Sequence, residues 1–336
     1  LGVSLLSLGE YDLAIASFNA AIKLNPNDAA AFNNLGLVHE ARGFVDLAMK
    51  AFRRAIELDP SLVEAHGNLG NMFRIQGHLD ESLRCFEHAR CLAANDPNVH
   101  RNLRLTQLYV PNQSNQAIFK EACNFASTHE QPRNSQPDAH KNDPDINRRI
   151  RVGYVSSDFR DHPVGHNLAP LIQNHNHESF EVYLYAEVSK PDTVSHEYER
   201  LADTWRSTVG MSDEAVAKTI RSDRIDILIF LAGVLDQNRV LIANRRPAPI
   251  QISYHDSTTT GLKAMGHWVT DAFLNPPNTP EQFTESLLRL PRFYVYPPIE
   301  DAPPAGPSTT CTPGEVTFGS FNNPAKLNNE VIALWA

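Results

Sequence analysis

Cysteine, long apolar runs and surplus positive charge are all scarce in this 336-residue chain. The four cysteines, Cys85, Cys91, Cys123 and Cys311, form no CxxC pair and no zinc-ligand spacing. That argues against a disulfide framework or a cysteine zinc site and fits a reduced, cytoplasmic compartment. The most apolar stretch, Ile225 to Gly233, contains Asp226 and is too short to span a bilayer, and no signal peptide is evident. A formal net charge of −9 argues against a general binder of nucleic acid or anionic membrane. GxGxxG and Walker motifs are absent, which excludes the usual dinucleotide and P-loop chemistries. What is present is an ordinary globular composition, 42% hydrophobic and 21% charged, long enough for two or three domains. Leu1 and Trp335-Ala336 both fall inside helical patterns, so both ends read as cut.

The first hundred residues repeat. Gly2, Gly36 and Gly70 recur every 34 residues, as do Gly9, Gly43 and Gly77, then Phe18, Phe52 and Phe86, then Ala21, Ala55 and Ala89. Ala14 and Ala48 are followed by Ser82; Pro26 and Pro60 end two repeats, and the third end has slipped to Pro97. The pattern predicts two antiparallel helices per repeat. Gly36 and Ala48 permit close approach, Phe52 fills the gap, Gly43 makes the turn and Pro60 stops the second helix. Residues 1–97 closely resemble the tetratricopeptide repeat, which stacks into a superhelix with a concave binding face. The reading favoured for that face is recognition of a peptide or protein, using Asn33, Asn34, Asn68 and Asn71; the bland reading is a spacer with solvated asparagines. Residues 98–148 read as a helical extension, with a helix over 114–128, followed by a polar, proline-containing linker.

From Arg149 the period changes. Strands are expected at 150–155, 180–185, 225–231, 250–254 and 267–270, with helices at 165–173 and 213–221 between them. This alternation predicts a largely parallel sheet covered on both faces. Residues 297–313 read as a crossover loop, and a further strand, 315–321, leads to a helix near Asn328. The first strand runs into Ser156-Ser157-Asp158 and then delivers His162 and His166, four apart. Such a loop is a standard place for chemistry. The two histidines could share a metal on a helix, but Pro163 between them and the lack of a third ligand argue for a turn or helix start instead. Asp158 is expected to organise the turn through an Asx-type hydrogen bond.

Four blocks in order, Arg151–His166 (RVGYVSSDFRDHPVGH), Arg245–Tyr254 (RRPAPIQISY), Val269–Phe273 (VTDAF) and Phe318–Asn328 (FGSFNNPAKLN), placed after the repeats, resemble the O-linked N-acetylglucosamine transferase family, SPINDLY-like proteins included. The resemblance implies an α-solenoid followed by the Rossmann-like α/β first lobe of a B-type two-lobed glycosyltransferase. Residues 149–313 would be that lobe and 314–336 the start of a truncated nucleotide-sugar-binding lobe. The implied reaction is inverting transfer of a sugar, N-acetylglucosamine from UDP-GlcNAc, to Ser or Thr hydroxyls of a protein brought by the repeats, without metal or other cofactor. The implied catalytic residues are His162 and His166, with His162 favoured as facing the cleft. Lys326 matches the diphosphate-binding lysine, and Asn323 a polar position that contacts the donor. As given, the chain is expected to turn over negligibly, since half the cleft lies on the second lobe.

Two loops depart from the family pattern. The Gly-Tyr-Pro-Gly-Thr-Thr/Ser-Gly loop reads His255-Asp256-Ser257-Thr258-Thr259-Thr260-Gly261, and the Gly-His-Thr of bacterial relatives reads Gly233-Val234-Leu235. Both border the cleft in the family. They leave open two alternatives: an interaction scaffold with a degenerate, inactive lobe, or a SPINDLY-like O-fucosyltransferase.

Overall fold

The computed structural model describes residues 1–130, 140–233, 238–293, 326–327 and 329–335. Two compact units emerge: Leu1–Gln113 with Pro307–Ala336, and Ser114–Gly306.

The first unit is helical. Its pairs are α1 (Gly2–Ser7) with α2 (Tyr11–Leu24), α3 (Ala29–Ala41) with α4 (Val45–Leu58), and α5 (Val63–Ile75) with α6 (Leu79–Leu92). α7 (Pro97–Gln107) follows α6, and a short helix, Asn329–Trp335, belongs to the same unit. The period has the physical basis expected of it. A Cβ on Gly36 would lie 2.5 Å from the Phe52 ring, so only a glycine lets α3 and α4 close over that side chain. Gly9, Gly43 and Gly77 all take left-handed φ, between 76° and 79°, at the inter-helix turns. Ala48, Met49, Phe52, Leu69 and Met72 form a buried cluster across two repeats. Ser82, the polar exception, is fully buried and donates its hydroxyl to the Gly70 carbonyl at 2.8 Å.

One terminator was misread. α6 ends at Leu92 without a proline, whereas Pro97 opens α7 at its first turn, behind an Asp96 side chain that accepts the Asn98 N–H at 2.8 Å. A missing N–H costs nothing at a helix start, where the group has no intrahelical partner.

The second unit holds a seven-stranded parallel sheet of order β3-β2-β1-β4-β5-β6-β7. The strands are β1 (Ile150–Ser156), β2 (Phe180–Ala186), β3 (Thr204–Ser207), β4 (Ile227–Leu231), β5 (Ile250–Tyr254), β6 (His267–Asp271) and β7 (Ser286–Leu290). Val152, Tyr154, Val182 and Leu184 point to one face, under α9 (Pro163–Gln173) and α10 (Thr193–Leu201). Val155, Tyr183, Tyr185, Leu228 and Phe230 point to the other, under α11 (Asp213–Ser222) and a 3-10 helix, Val240–Arg245. α8 (Asn115–His129) places Phe125 and Ala126 in that same cluster. β1, β2 and β4, at the centre, are thus apolar on both faces, as a doubly covered parallel sheet requires.

The five expected strands are present, the third beginning at Ile227. β3, β7, α10 and the 3-10 helix carried no reading in the sequence. The expected crossover loop at 297–313 and strand at 315–321 lie outside the described residues.

Candidate functional site

In an open parallel sheet, ligands bind beyond the strand C-termini where the strand order reverses. Here that point lies between β1, which continues toward β2, and β4, which continues toward β5. The chain leaving β1 forms the polar turn Ser156-Ser157-Asp158, all three residues buried. The expected Asx turn is not what closes it. The Ser156 hydroxyl accepts the Asp158 N–H at 3.0 Å, while the Asp158 carboxylate accepts from Asn238 Nδ2 at 3.0 Å and from the Ser157 hydroxyl at 3.2 Å. Asn238 answers with its Oδ1, which accepts the Ser156 hydroxyl at 3.0 Å and the Ser157 N–H at 2.8 Å. A single buried amide therefore ties the loop after β1 to the loop after β4, 80 residues apart. The partner is needed because a carboxylate buried this deeply requires more donors than the one Ser157 hydroxyl that its own loop supplies.

His162 sits beside this network. It caps α9: its Nδ1 accepts the Val164 N–H at 3.3 Å and lies 3.6 Å from Asp158 Oδ1. α9 starts hard against the turn, since a Cβ on Gly165 would come within 2.5 Å of the Asp158 and Arg160 carbonyl oxygens. The buried Tyr198 hydroxyl donates to the Gly165 carbonyl and pins the helix start from α10. His166 is placed differently. It is exposed, and its Nε2 pairs at 2.8 Å with Asp161, itself exposed.

Lys326 is exposed and belongs to the helical unit, just before the helix Asn329–Trp335. Asn323 lies outside the described residues, as do Val234 and Leu235. Among the described residues, no group of three or more His, Cys, Asp or Glu side chains is placed to hold a metal ion. No helix is long and apolar enough to cross a membrane among them either.

The departing loop after β5 is well anchored. Glu285, buried, accepts the Thr259 hydroxyl at 2.6 Å, the Thr260 N–H at 2.8 Å and the Thr260 hydroxyl. His255 takes a left-handed φ of 63° and packs its ring between Tyr254 and Phe293, at centroid distances of 4.5 and 5.1 Å. Burial pushes its imidazole down to about 4. Asn238 and Glu285 were missed in the sequence because nothing local marks them; each acts on a loop far from it along the chain.

In the helical unit, Asn68 Nδ2 donates to Asn33 Oδ1 at 2.9 Å, linking the first helices of successive repeats, and Asn33 is buried rather than solvated. Asn71 accepts from Arg74 at 3.1 Å.

Comparison with known proteins bears on both units. Residues 110–297 match the model of glycosyl transferase family 41, and residues 1–63 a tetratricopeptide repeat model. The chain is 34% identical over 201 residues to the Petunia hybrida protein named "Probable UDP-N-acetylglucosamine--peptide N-acetylglucosaminyltransferase SPINDLY", covering 58% of this chain and 22% of that one. It is 32% identical over 199 residues to the Arabidopsis thaliana SEC protein of the same probable activity, covering 56% and 20%. It thus spans about a fifth of these relatives. A solved structure of a mutant Thermobaculum terrenum O-GlcNAc transferase superposes with a TM-score of 0.88 at 32% identity, over 99% of this chain and 64% of that one.

Proposed function

The chain belongs to glycosyltransferase family 41, and from that membership we propose that it transfers a sugar from a nucleotide diphosphate, UDP-GlcNAc, to Ser or Thr hydroxyls of protein acceptors held by the repeats. The observation that carries this reading is the Asp158–His162–Asn238 constellation at the sheet's switch point, inside the matched segment. The chemistry needs a group that deprotonates or orients the acceptor hydroxyl, and positive charge on the departing diphosphate.

His162 suits the first need. With Nδ1 accepting the Val164 N–H, the neutral ring carries its proton on Nε2 and offers a hydrogen-bond donor. In the other tautomer, reached by exchange with solvent, the proton sits on Nδ1 and is directed to the Asp158 carboxylate in place of the Val164 N–H contact, and Nε2 is free to accept the acceptor's proton. The resulting imidazolium is stabilised by the carboxylate 3.6 Å away. His166, paired with Asp161 at the surface, supports the helix start in this scheme rather than the proton transfer. Lys326 serves the second need: its ammonium neutralises the leaving diphosphate, with Asn323 beside it contacting the donor. No metal takes part, and the product is inverted. The donor cleft is completed by the second lobe of the B-type fold.

The alternative of a degenerate lobe used as a scaffold draws on one observation, the His255 ring in a loop position where relatives have glycine. Transfer of labelled sugar from UDP-GlcNAc to protein, by the complete reading frame carrying this chain, separates the two. His162→Ala is expected to lower transfer by roughly 10²- to 10⁴-fold, and Lys326→Ala to abolish it. Equal background from wild type and Lys326→Ala would remove the enzymatic reading; transfer from GDP-fucose instead would assign the fucosyl alternative.

A further inference from the structure

Arg74, in the last turn of α5, breaks the repeat. One period earlier its position is Glu40, and one period later Leu108. Asn71, three residues before it, stands where the adjoining repeats have Leu37 and Leu105. Asn68, Asn71 and Arg74 are spaced by three, so they run along one flank of the helix. The bond from Asn68 to Asn33 turns that flank toward the first helix of the preceding repeat. First helices linked in this way line the inner curve of the stack, the extended concave surface that such arrays use for binding.

The guanidinium is held from two sides. Its Nη2 donates to Asn71 Oδ1 at 3.1 Å, and its carbon lies over the ring of Tyr109, 5.9 Å from the centroid. Among the described residues no carboxylate pairs with it. Other arginines of the helical unit have such a partner: Arg42 meets Asp12 at 2.6 Å, Arg54 meets Glu57 at 2.8 Å and Arg84 meets Glu81 at 3.7 Å. Arg53 has none either, but it is exposed to water. Arg74 is half-buried, and its Nε is shut off from solvent without a hydrogen-bond partner. A cation in that state lacks both full hydration and a counter-charge.

One negative charge with two acceptor oxygens would complete it. A carboxylate meets the planar edge of a guanidinium with parallel hydrogen bonds, and the aromatic ring beneath keeps that plane in place. A phosphate group brings nearly two negative charges against a single guanidinium. A neutral amide would accept hydrogen bonds and leave the charge unanswered. The amides of Asn33 and Asn68, on the same surface, suit the backbone of an extended segment. We propose that Arg74, set by Asn71 and Tyr109, receives an aspartate or glutamate side chain of an extended protein segment lying along the repeats. On the transferase reading that segment belongs to the acceptor, so the repeats select acidic sequence as well as holding a backbone.

The test needs no sugar nucleotide. The chain is titrated with N-acetyl-Gly-Ser-Glu-Ser-Gly amide and with the same capped peptide carrying Gln for Glu, following the ring resonances of Tyr109, assigned by their loss in Tyr109→Phe. Capping removes the terminal charges, so the side chain alone distinguishes the two. A chain of net charge −9 repels an acidic peptide as a whole, so a preference for Glu reports a local cation. The Glu peptide is expected to shift Tyr109 saturably and to bind at least about fivefold tighter than the Gln peptide, the upper end of what an exposed ion pair supplies. Added salt should shrink that preference. Arg74→Gln should abolish it, and Arg54→Gln, which removes an arginine already paired with Glu57, should leave it. Should Arg74→Gln fail to fold, Asn71→Leu, which restores the residue of the adjoining repeats, is expected to weaken the Glu peptide and not the Gln peptide. Equal binding of the two peptides, no shift from either, or a preference surviving Arg74→Gln would overturn the proposal. Sugar transfer without the acidic preference would remove this contact alone. An acidic preference without sugar transfer would remove the transferase reading and leave the contact standing.

Discussion

The helical unit and the α/β unit bury their side chains by opposite means. In the repeats every important contact recurs: the Gly36–Phe52 approach has counterparts in Gly2–Phe18 and Gly70–Phe86. In the α/β unit the decisive polar contacts occur once and join distant segments. Asp226 at the base of β4 receives Arg148 at 2.6 Å, the Arg151 N–H at 2.9 Å and Asn142 at 2.6 Å. Asn238 joins two loops, and Glu285 fastens a third. A repeat array is therefore tolerant because its stability is summed over neighbours. A single-copy network is vulnerable because each loss leaves a buried polar group without its partner.

The contrast can be broken at its strongest point first. Phe52→Ala removes a fully buried ring and is expected to cost about 3–5 kcal/mol, with faster hydrogen exchange confined to α3–α6. Equal acceleration in β1, β2 and β4 would show that the units are not energetically separate. Asn238→Ala strips a donor from the buried Asp158 carboxylate and an acceptor from Ser156 and Ser157, and should cost about 2–3 kcal/mol, read from urea unfolding of the α/β unit; a cost near zero would reduce that network to decoration.

Asp226→Asn ranks next, at roughly 1.5–3 kcal/mol near neutral pH. Burial alone would raise the Asp226 pKa, but the bonds from Arg148, the Arg151 N–H and Asn142 outweigh it, and the net direction is down. The stabilisation is therefore full above the ordinary aspartate value near about 4 and disappears as pH falls through the lowered folded value. The wild-type and Asp226→Asn melting temperatures should converge below that range; a gap independent of pH would assign the effect to packing. Ser82→Ala is the smallest. It restores the residue that Ala14 and Ala48 supply in the other repeats and should stay within about 0.5 kcal/mol of wild type in thermal unfolding. A larger loss would mean that the Gly70 carbonyl needs that hydroxyl.

The same division governs what could be read along the chain. Strands β1, β2 and β4 were legible because burial on both faces imposes apolar runs, and β5 and β6 because they too carry β-branched and aromatic residues. β3 was not. It has four residues, Thr204–Ser207, two of them exposed, and lies at a sheet edge where little burial constrains composition. Its place is set by Asp203, which accepts the Val182 N–H at 2.8 Å and pairs with Arg149. In the site, His162 and His166 stood out as titratable groups after a first strand, yet the chemistry of the turn before them was misassigned, since Asp158 turns to an amide 80 residues away.

By itself the sequence determined the repeat, its turn glycines and close-packing phenylalanines, and the change to a parallel α/β pattern near Arg149, because each follows from spacings of a few residues imposed by helix and strand geometry. Only the tertiary structure decided which groups satisfy the buried polar atoms. It set Asn238 on Asp158 and Glu285 under the loop after β5. Such pairings depend on which loops the sheet order brings together, and no local period records them.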